Sequence, residues 1–308
     1  MEVNPKPKTW LADLALFLVV LFWGINMPIM KFSLSRMDPY LFNAIRLTFS
    51  ALTLAGCVVF VRIREKPNRP MMPPRRHWAS TGLYIMLGGF AYQFLFLLGI
   101  NATSAGNTAV ILSAIPMWTA VLAFLILGEK LKLGAWAGLL VAIGGVIVVT
   151  LGKPANADSL SVSSSGFQGN LLISAAAFSW ALLSVVSRKV MEAVSPLNLA
   201  FFCVALTLPL HYCVAGYTLK DAPAILNDPW LVAAILYSGV FSTGLAVAFW
   251  NYGVKQLGAA HASGFQNLVP LIALFSSWLL ISETPFFMQI VGGVLIIIGM
   301  LIIRRFRS

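Results

Sequence analysis

Charge is scarce in this chain. Only 10% of its 308 residues are charged, where a soluble globular domain carries roughly 25%. With 59% of residues hydrophobic, a water-soluble enzyme of this size could not cover its surface, and that class is excluded. Disorder is excluded as well, because it requires low hydrophobicity and high charge. Cysteine is nearly missing. Cys57, Cys203 and Cys213 are odd in number, lie in apolar runs and lack metal-ligand spacing, so disulfide and zinc frameworks are not expected. Histidine is limited to the scattered His77, His211 and His261. The chain contains no H-E-x-x-H, no G-x-S-x-G and no G-x-x-x-x-G-K-[ST], which argues against a metallohydrolase, a serine hydrolase and an ATP-driven pump. No cofactor and no metal are expected.

What the chain has in abundance is long apolar runs. A membrane-spanning helix needs about 20 apolar residues at about 1.5 Å each. Runs of that kind lie near 11–31, 39–61, 78–99, 106–127 and 133–151. The polar stretch KPANADSLSVSSSGFQ follows at 153–168, and further runs lie near 169–187, 196–216, 230–252, 259–281 and 285–303. They are too long, and alternate too little, for the strands of a membrane barrel. The first run has no small-residue cleavage site and reads as a retained helix. The expectation is an all-α integral membrane protein with ten transmembrane helices. Residues 1–152 form a first five-helix unit, 153–168 a linker and 169–308 a second five-helix unit.

The net charge of +11 would point to nucleic acid in a soluble protein. Here its distribution follows the loops. If the N-terminus is cytoplasmic, the inner segments hold Lys6 and Lys8, the basic Arg62–His77 loop, Lys130 and Lys132 beside Glu129, Arg188 and Lys189, Lys255, and Arg304, Arg305 and Arg307. The opposite segments hold a near-balance of Lys31, Arg36, Lys153 and Lys220 against Asp38, Asp158, Asp221, Asp228 and Glu283. Lys and Arg mark the cytoplasmic side of short loops. The expectation is a multi-pass protein of the inner (plasma) membrane with both termini cytoplasmic and no nucleic-acid partner.

The two halves share a pattern. Pro116 stands 13 residues before Glu129, and Pro270 stands 13 before Glu283. Gly138 and Gly145 follow the first glutamate at the spacing at which Gly292 and Gly299 follow the second. Trp23, Lys31 and Pro39 match Trp180, Arg188 and Pro196 after one short length change, which loops tolerate. With five spans per half, the second unit must enter the membrane inverted. The strongly basic 62–77 loop against its slightly acidic counterpart near 217–229 agrees. Inverted repeats place a transport site near the bilayer midplane.

The blocks FWGINMPIMKFSL…DPYLFNAIRLTFSAL, ATSAGNTAVILSAIPMWTAVLAFLILGEKLKLGAWAGLLVAIGGVIVV and LGAAHASGFQNLVPLIALFSSWLLISETPFFMQIVGGVLIIIGMLII resemble the EamA-type drug/metabolite transporters over nearly the whole chain. The twice-occurring proline–glutamate–glycine pattern is the most specific part of the likeness and says nothing of the substrate. The resemblance implies a central cavity lined by spans 1, 3, 4, 6, 8 and 9, peripheral spans 5 and 10, and export of amino acids or other small metabolites.

Intramembrane polar groups are costly and mark either a wet cavity or interhelical bonds. Trp23 and Trp180 hold matched mid-span positions, with Asn26 and Ser184 on the faces they share. Tyr92, Gln93, Asn107, Gln266 and Asn267 add polar groups to the spans the resemblance makes lining. Each of these also has a plain packing reading. His261, at the start of span 9, could titrate near neutral pH or sit at the interface. Pro116 and Pro270 interrupt their spans and are candidate hinges. Arg46 has two readings, as a site for a substrate carboxylate or as a structural arginine that snorkels or bonds helix-end carbonyls. Span 2 is not among the implied lining spans, so the structural reading is preferred. His211 reads as structural, bonded to neighbouring backbone. Glu129 and Glu283 read as caps at the starts of spans 5 and 10, and Asp38 and Ser195 as caps ahead of proline. Gly134 and Gly138 form a G-x-x-x-G pair, which fits close packing within the chain or in a homodimer through spans 5 and 10.

The expected function is therefore secondary transport of small metabolites, with neutral and aromatic amino acids first and another neutral metabolite or drug second. A membrane-embedded enzyme and a non-transporting membrane protein are the readings from other classes. Epitope tags at the two ends of the chain are both expected to be protected in intact cells and to be labelled after permeabilisation. Labelling of one end alone would overturn the even number of spans.

Overall fold

The computed structural model describes residues 9–65, 70–128, 132–152, 164–257, 262 and 265–306. Glu129, His261 and most of the 153–168 linker lie outside the described residues. Ten helical segments organise the rest: α1 (Thr9–Leu34), α2 (Pro39–Glu65), α3 (Arg75–Ala102), α4 (Ala105–Leu127), α5 (Leu133–Leu151), α6 (Ser164–Ala193), α7 (Pro196–Ala215), α8 (Pro229–Leu257), α9 (Val269–Ile281) and α10 (Phe287–Phe306). Nine of the ten are long and apolar enough to cross a membrane among the described residues, and α9, at 13 residues, is a shorter apolar helix. Large apolar side chains such as Leu52, Phe60, Leu125, Leu140 and Leu279 point outward. Polar ones such as Asn26, Asn43, Gln93 and Asn170 are buried. This is the arrangement that a hydrocarbon solvent favours.

Helix starts follow from local chemistry. Pro39, Pro196 and Pro229 each occupy the first helical position, where their fixed φ and missing N–H cost nothing. The residue before each supplies the cap. Asp38 Oδ1 accepts from Tyr40 and Leu41 N–H, Ser195 Oγ from Asn198 N–H, and Asp228 Oδ1 from Trp230 and Leu231 N–H. Ser104 Oγ caps α4 by accepting from Asn107 N–H at 3.0 Å. Two helices end in the left-handed region, at Gly128 (φ 67°) and at Ser282 (φ 55°). The latter is strained for a residue with a Cβ.

Two helices are not regular α-helix through the bilayer. The middle of α3 is wound as a π-helix at Met86–Ala91, and the middle of α8 at Tyr237–Leu245. Both segments are rich in small residues pressed against a neighbour. A Cβ on Gly89 would collide with the Cys203 carbonyl of α7, and one on Gly239 with the Arg46 carbonyl of α2. In lipid the carbonyls of such irregular segments can be bonded only from within the protein. Side chains from neighbouring helices take them up. His211 Nε2 donates to Gly89 O at 2.7 Å, Ser179 Oγ to Leu87 O at 3.0 Å, and Trp23 Nε1 to Ser242 O at 3.0 Å. Because Gly89 O is an acceptor, His211 carries its proton on Nε2, and its Nδ1 accepts from Asn43 Nδ2 at 3.1 Å. The breaks in α4 and α9 also fall at matched places. Ser113–Ala114 stands just before Ile115 and Pro116, and Asn267–Leu268 just before Val269 and Pro270.

Helices α5 and α10 pack along their glycines. A Cβ on Gly138 would lie 2.7 Å from the Gly299 carbonyl, and one on Gly145 would lie 2.7 Å from that of Gly292. The small faces are thus consumed within the chain, and Leu133, Leu140, Ile147, Ile290, Val294 and Leu301 face outward.

Replacing His211 with Phe puts a somewhat larger apolar ring in its place and takes the side-chain donor from the Gly89 carbonyl. The expected cost is about 1–3 kcal/mol of stability, read as a lowered melting temperature of the detergent-solubilised protein. An unchanged melting temperature would show that the π-helical carbonyl finds another donor.

Candidate functional site

The irregular segments and the broken helices converge on one cavity of about 150 Å³. An apolar cavity of about this size admits a single benzene-sized ring. Its walls come from α1 (Trp23, Asn26, Met27), α3 (Tyr92, Gln93, Phe96), α4 (Leu112, Ser113, Pro116), α6 (Trp180) and α8 (Ser242, Thr243, Val247). Gln266, Asn267 and Pro270 at the start of α9 also contribute, as does Arg46 of α2.

Each wall residue is held by its neighbours. The Trp23 indole N–H is tied to the α8 backbone and its ring packs on Trp250 with centroids 5.7 Å apart. This leaves an apolar ring, not a donor, for the cavity. Tyr92 lies between two rings, 5.7 Å from Phe96 and 4.7 Å from Trp180. Such tilted and offset contacts are each worth about 0.5–1.5 kcal/mol beyond burial. Gln93, 7% exposed, gives its Oε1 to Arg46 Nη2 at 2.7 Å. Arg46 Nη1 donates to Thr243 Oγ1 at 3.1 Å, and Thr243 in turn donates to Ser238 O inside the π-helical turn. Arg46 thus reaches the cavity because Gly239 lets α8 close onto α2. Arg46 therefore neither snorkels to the surface nor bonds helix-end carbonyls, the two forms expected of a structural arginine here. The residue is 2% exposed and lines the cavity.

Of the sequence-derived candidates, Trp23, Asn26, Tyr92, Gln93, Trp180, Gln266, Asn267, Pro116 and Pro270 line this cavity. Two described candidates are placed elsewhere. Ser184 Oγ donates to the Trp180 carbonyl of its own helix at 2.8 Å. Asn107 belongs to a polar cluster in the first turn of α4. There its Nδ2 approaches Asn170 Oδ1 at 3.3 Å and its Oδ1 accepts from Gln289 Nε2 at 3.0 Å. Thr103 joins by donating to Asn170 Oδ1. Sequence reading weighed Arg46 and ranked its structural reading first, and it did not name Ser113 or Thr243. Among the described residues no His, Cys, Asp or Glu cluster is arranged to hold a metal ion.

The Asn107 cluster is part of a closed face of the bundle. Lys31 Nζ donates to the carbonyls of Ile100, Asn101 and Thr103 at 3.1, 2.8 and 2.6 Å, covering the open carbonyl end of α3 with a cation. Glu283 accepts from Ala105 and Gly106 N–H at 3.0 and 2.8 Å. It therefore caps α4, not the helix that follows it in sequence, which corrects the expectation of a cap on span 10. Arg36 pairs with Asp228 at 3.0 Å, and Thr218 Oγ1 donates to Asp38 Oδ1 at 3.2 Å. The Leu231 N–H, and with it Arg36, holds the Asp228 carboxyl below its usual value, so it is ionised at neutral pH and Arg36 keeps its partner.

The profile of the EamA-like transporter family matches residues 10–151 and again 167–305. An uncharacterized transporter of Bacillus subtilis is 28% identical over 91% of this chain and 89% of its own length. A probable amino-acid metabolite efflux pump of Salmonella typhimurium is 28% identical over 92% of each chain. A solved crystal structure of a protein with 19% sequence identity superposes with a TM-score of 0.65, covering 96% of this chain and 98% of that one. It shows that the fold is shared.

Glu283→Ala is expected to loosen the closed face by about 1–2 kcal/mol, the worth of a lost charged cap. The check is the labelling rate of a cysteine placed at the buried Thr103, in a background without Cys57, Cys203 and Cys213. A water-soluble maleimide should react several-fold faster in the Glu283→Ala protein. An equal rate would show that the cap does not hold this face.

Proposed function

Because the chain belongs to the EamA-like transporter family, we propose that it is a secondary transporter that exports small metabolites, with neutral and aromatic amino acids as its first substrates. The observation that carries this reading is the cavity itself. Aromatic rings, amides and hydroxyls from both halves of the chain converge at the middle of their helices, and apolar walls with a few fixed polar groups suit a small organic molecule. The amino-acid metabolite efflux pump of Salmonella typhimurium supports the choice of substrate class.

In this reading ten spans form two oppositely inserted five-helix units, residues 1–152 and 169–308, with both ends in the cytoplasm of a cell bounded by an inner (plasma) membrane. Three features that recur at matched positions support the repeat. They are π-helical segments in α3 and α8, breaks ahead of Pro116 and Pro270, and left-handed termini at Gly128 and Ser282. The helix α9 is the ninth span, shortened by its break. Alternating access then has a physical description. The closed face is latched by Lys31, Glu283 and the Arg36–Asp228 pair, and opening it means breaking those contacts while the opposite face closes. Pro116 and Pro270 sit where the two broken helices would bend. A homodimer through spans 5 and 10 would have to use their outward apolar faces, since the glycine faces already meet each other.

The purified full-length chain in liposomes, loaded with labelled phenylalanine, leucine or alanine, is expected to release at least one of them faster than protein-free liposomes. Release should be slowed by Trp180→Ala, which removes a cavity wall. Release no faster than from empty liposomes for the whole set of amino acids, with or without a pH gradient, would overturn the substrate assignment.

A further inference from the structure

Among the described residues that line the cavity, Arg46 alone carries a full charge. Its residue is 2% exposed, and it lies about 10 Å along α2 from the loop at the rise of 1.5 Å per residue. It has not snorkelled to water. A cation withdrawn from water needs an anion or a complete set of acceptors. Lys31 shows what a satisfied cation looks like in this fold, with three backbone carbonyls on one ammonium. Arg46 has one hydroxyl and one amide oxygen, and its Nε has no partner. A guanidinium offers five N–H donors in a planar fork, so most of its donor capacity is unspent. The Arg36–Asp228 ion pair lies at the loop face and does not reach it. The titratable groups that bear on Arg46 are Tyr92 and His211, and neither is a carboxylate.

The same cavity holds a second unspent group. Asn26, 5% exposed, has a side-chain oxygen without a protein partner. One wall therefore offers a cationic fork and another an uncharged acceptor, with the rings of Trp23, Tyr92 and Trp180 between.

We propose that Arg46 is the anchor for a substrate carboxylate, so that the cargo is a metabolite with one carboxylate, above all a zwitterionic α-amino acid. This rests on the transport reading above and names the group of the cargo that the site recognises. Gln93 and Thr243 hold the fork in position, and the carboxylate completes it as a charge-assisted pair. The ammonium of an amino acid faces Asn26 and the aromatic surfaces, which attract cations. One fixed positive charge balances one carboxylate. A dicarboxylate or phosphate ester would bring a second negative charge for which the described cavity wall holds no cation, whereas the ammonium has the Asn26 oxygen and the ring faces.

The test compares acids with their amides. Phenylalanine and phenylalaninamide are added as competitors of labelled phenylalanine release from liposomes containing the full chain, and separately as stabilising ligands in thermal melting of the detergent-solubilised protein. The wild type should prefer the acid by about ten- to a hundredfold, the worth of a hydrogen bond to a charged group. Arg46→Gln should abolish that preference. Gln93→Glu keeps the packing and places a carboxylate of the protein itself against Nη2. It should hold or raise the melting temperature of the ligand-free protein and still lose the preference for the acid. A purely structural Arg46 predicts the first effect of Gln93→Glu without the second. Equal competition by acid and amide in the wild type, or an acid preference retained by Gln93→Glu, overturns the proposal. Absence of release for every compound overturns the transport reading instead. In that case acid-specific thermal stabilisation of the wild type, present or absent, still decides the role of Arg46.

Discussion

Hydrocarbon cannot hydrogen-bond to a peptide group, and the architecture of this chain depends on that constraint. It forces nearly every segment into helix. Where the helices depart from α geometry, it demands a donor from elsewhere. The π-helical turns of α3 and α8 carry carbonyls to which His211, Ser179 and Trp23 donate from other helices. These bonds fix how α1 meets α8 and how α7 meets α3. The cavity is what remains where packing is interrupted by the widened turns and by the breaks ahead of Pro116 and Pro270. The irregular segments bury Gly88, Gly89, Ser238, Gly239 and Ser242 against neighbouring helices, while Met86 and Phe241 face outward.

Polar chemistry is sorted by depth. At the loop face, Lys31, Glu283, Asp38 and Asp228 are used on helix ends, where exposed N–H and carbonyl groups and the helix dipoles already call for charge. At mid-depth the charge is concentrated on Arg46, with amides, hydroxyls and rings around it. The glycine-lined pairing of α5 with α10 contributes no polar group to the cavity wall. It presents broad apolar faces outward and a tight seam inward.

Much of the fold was legible in the sequence, because hydropathy and length report directly on spanning helices. The caps Asp38 and Ser195 were legible too, since proline at the first helical position has a local cause. The π-helical turns were not. Gly88–Gly89 and Gly239 read as ordinary small residues until a neighbour's backbone is seen pressed against them. That omission left the structural reading of Arg46 ahead of its cavity reading, since the residue meets the cavity where α8 closes onto α2 at Gly239. Glu283 read as a cap for the helix next in sequence, and its true partner, the start of α4, lies 178 and 177 residues away. Asn107 carried a usable signal. It stands three residues after Ser104, the spacing of a capped first helical turn, and the structure places it in that turn among Asn170 and Gln289.

The long reach of these contacts bears on how the molecule is made. Trp23 waits for Ser242, Arg46 for Thr243, the amides of Ala105 and Gly106 for Glu283, and Gly138 for Gly299. While the ribosome is still translating the second half, the first five helices carry an uncompensated guanidinium and a bare seam of glycines. The nascent half must therefore be sheltered in or beside the insertion machinery until the last helix emerges. A chain stopped at its midpoint would lack the partners that Trp23, Arg46 and the first amides of α4 find in the second half.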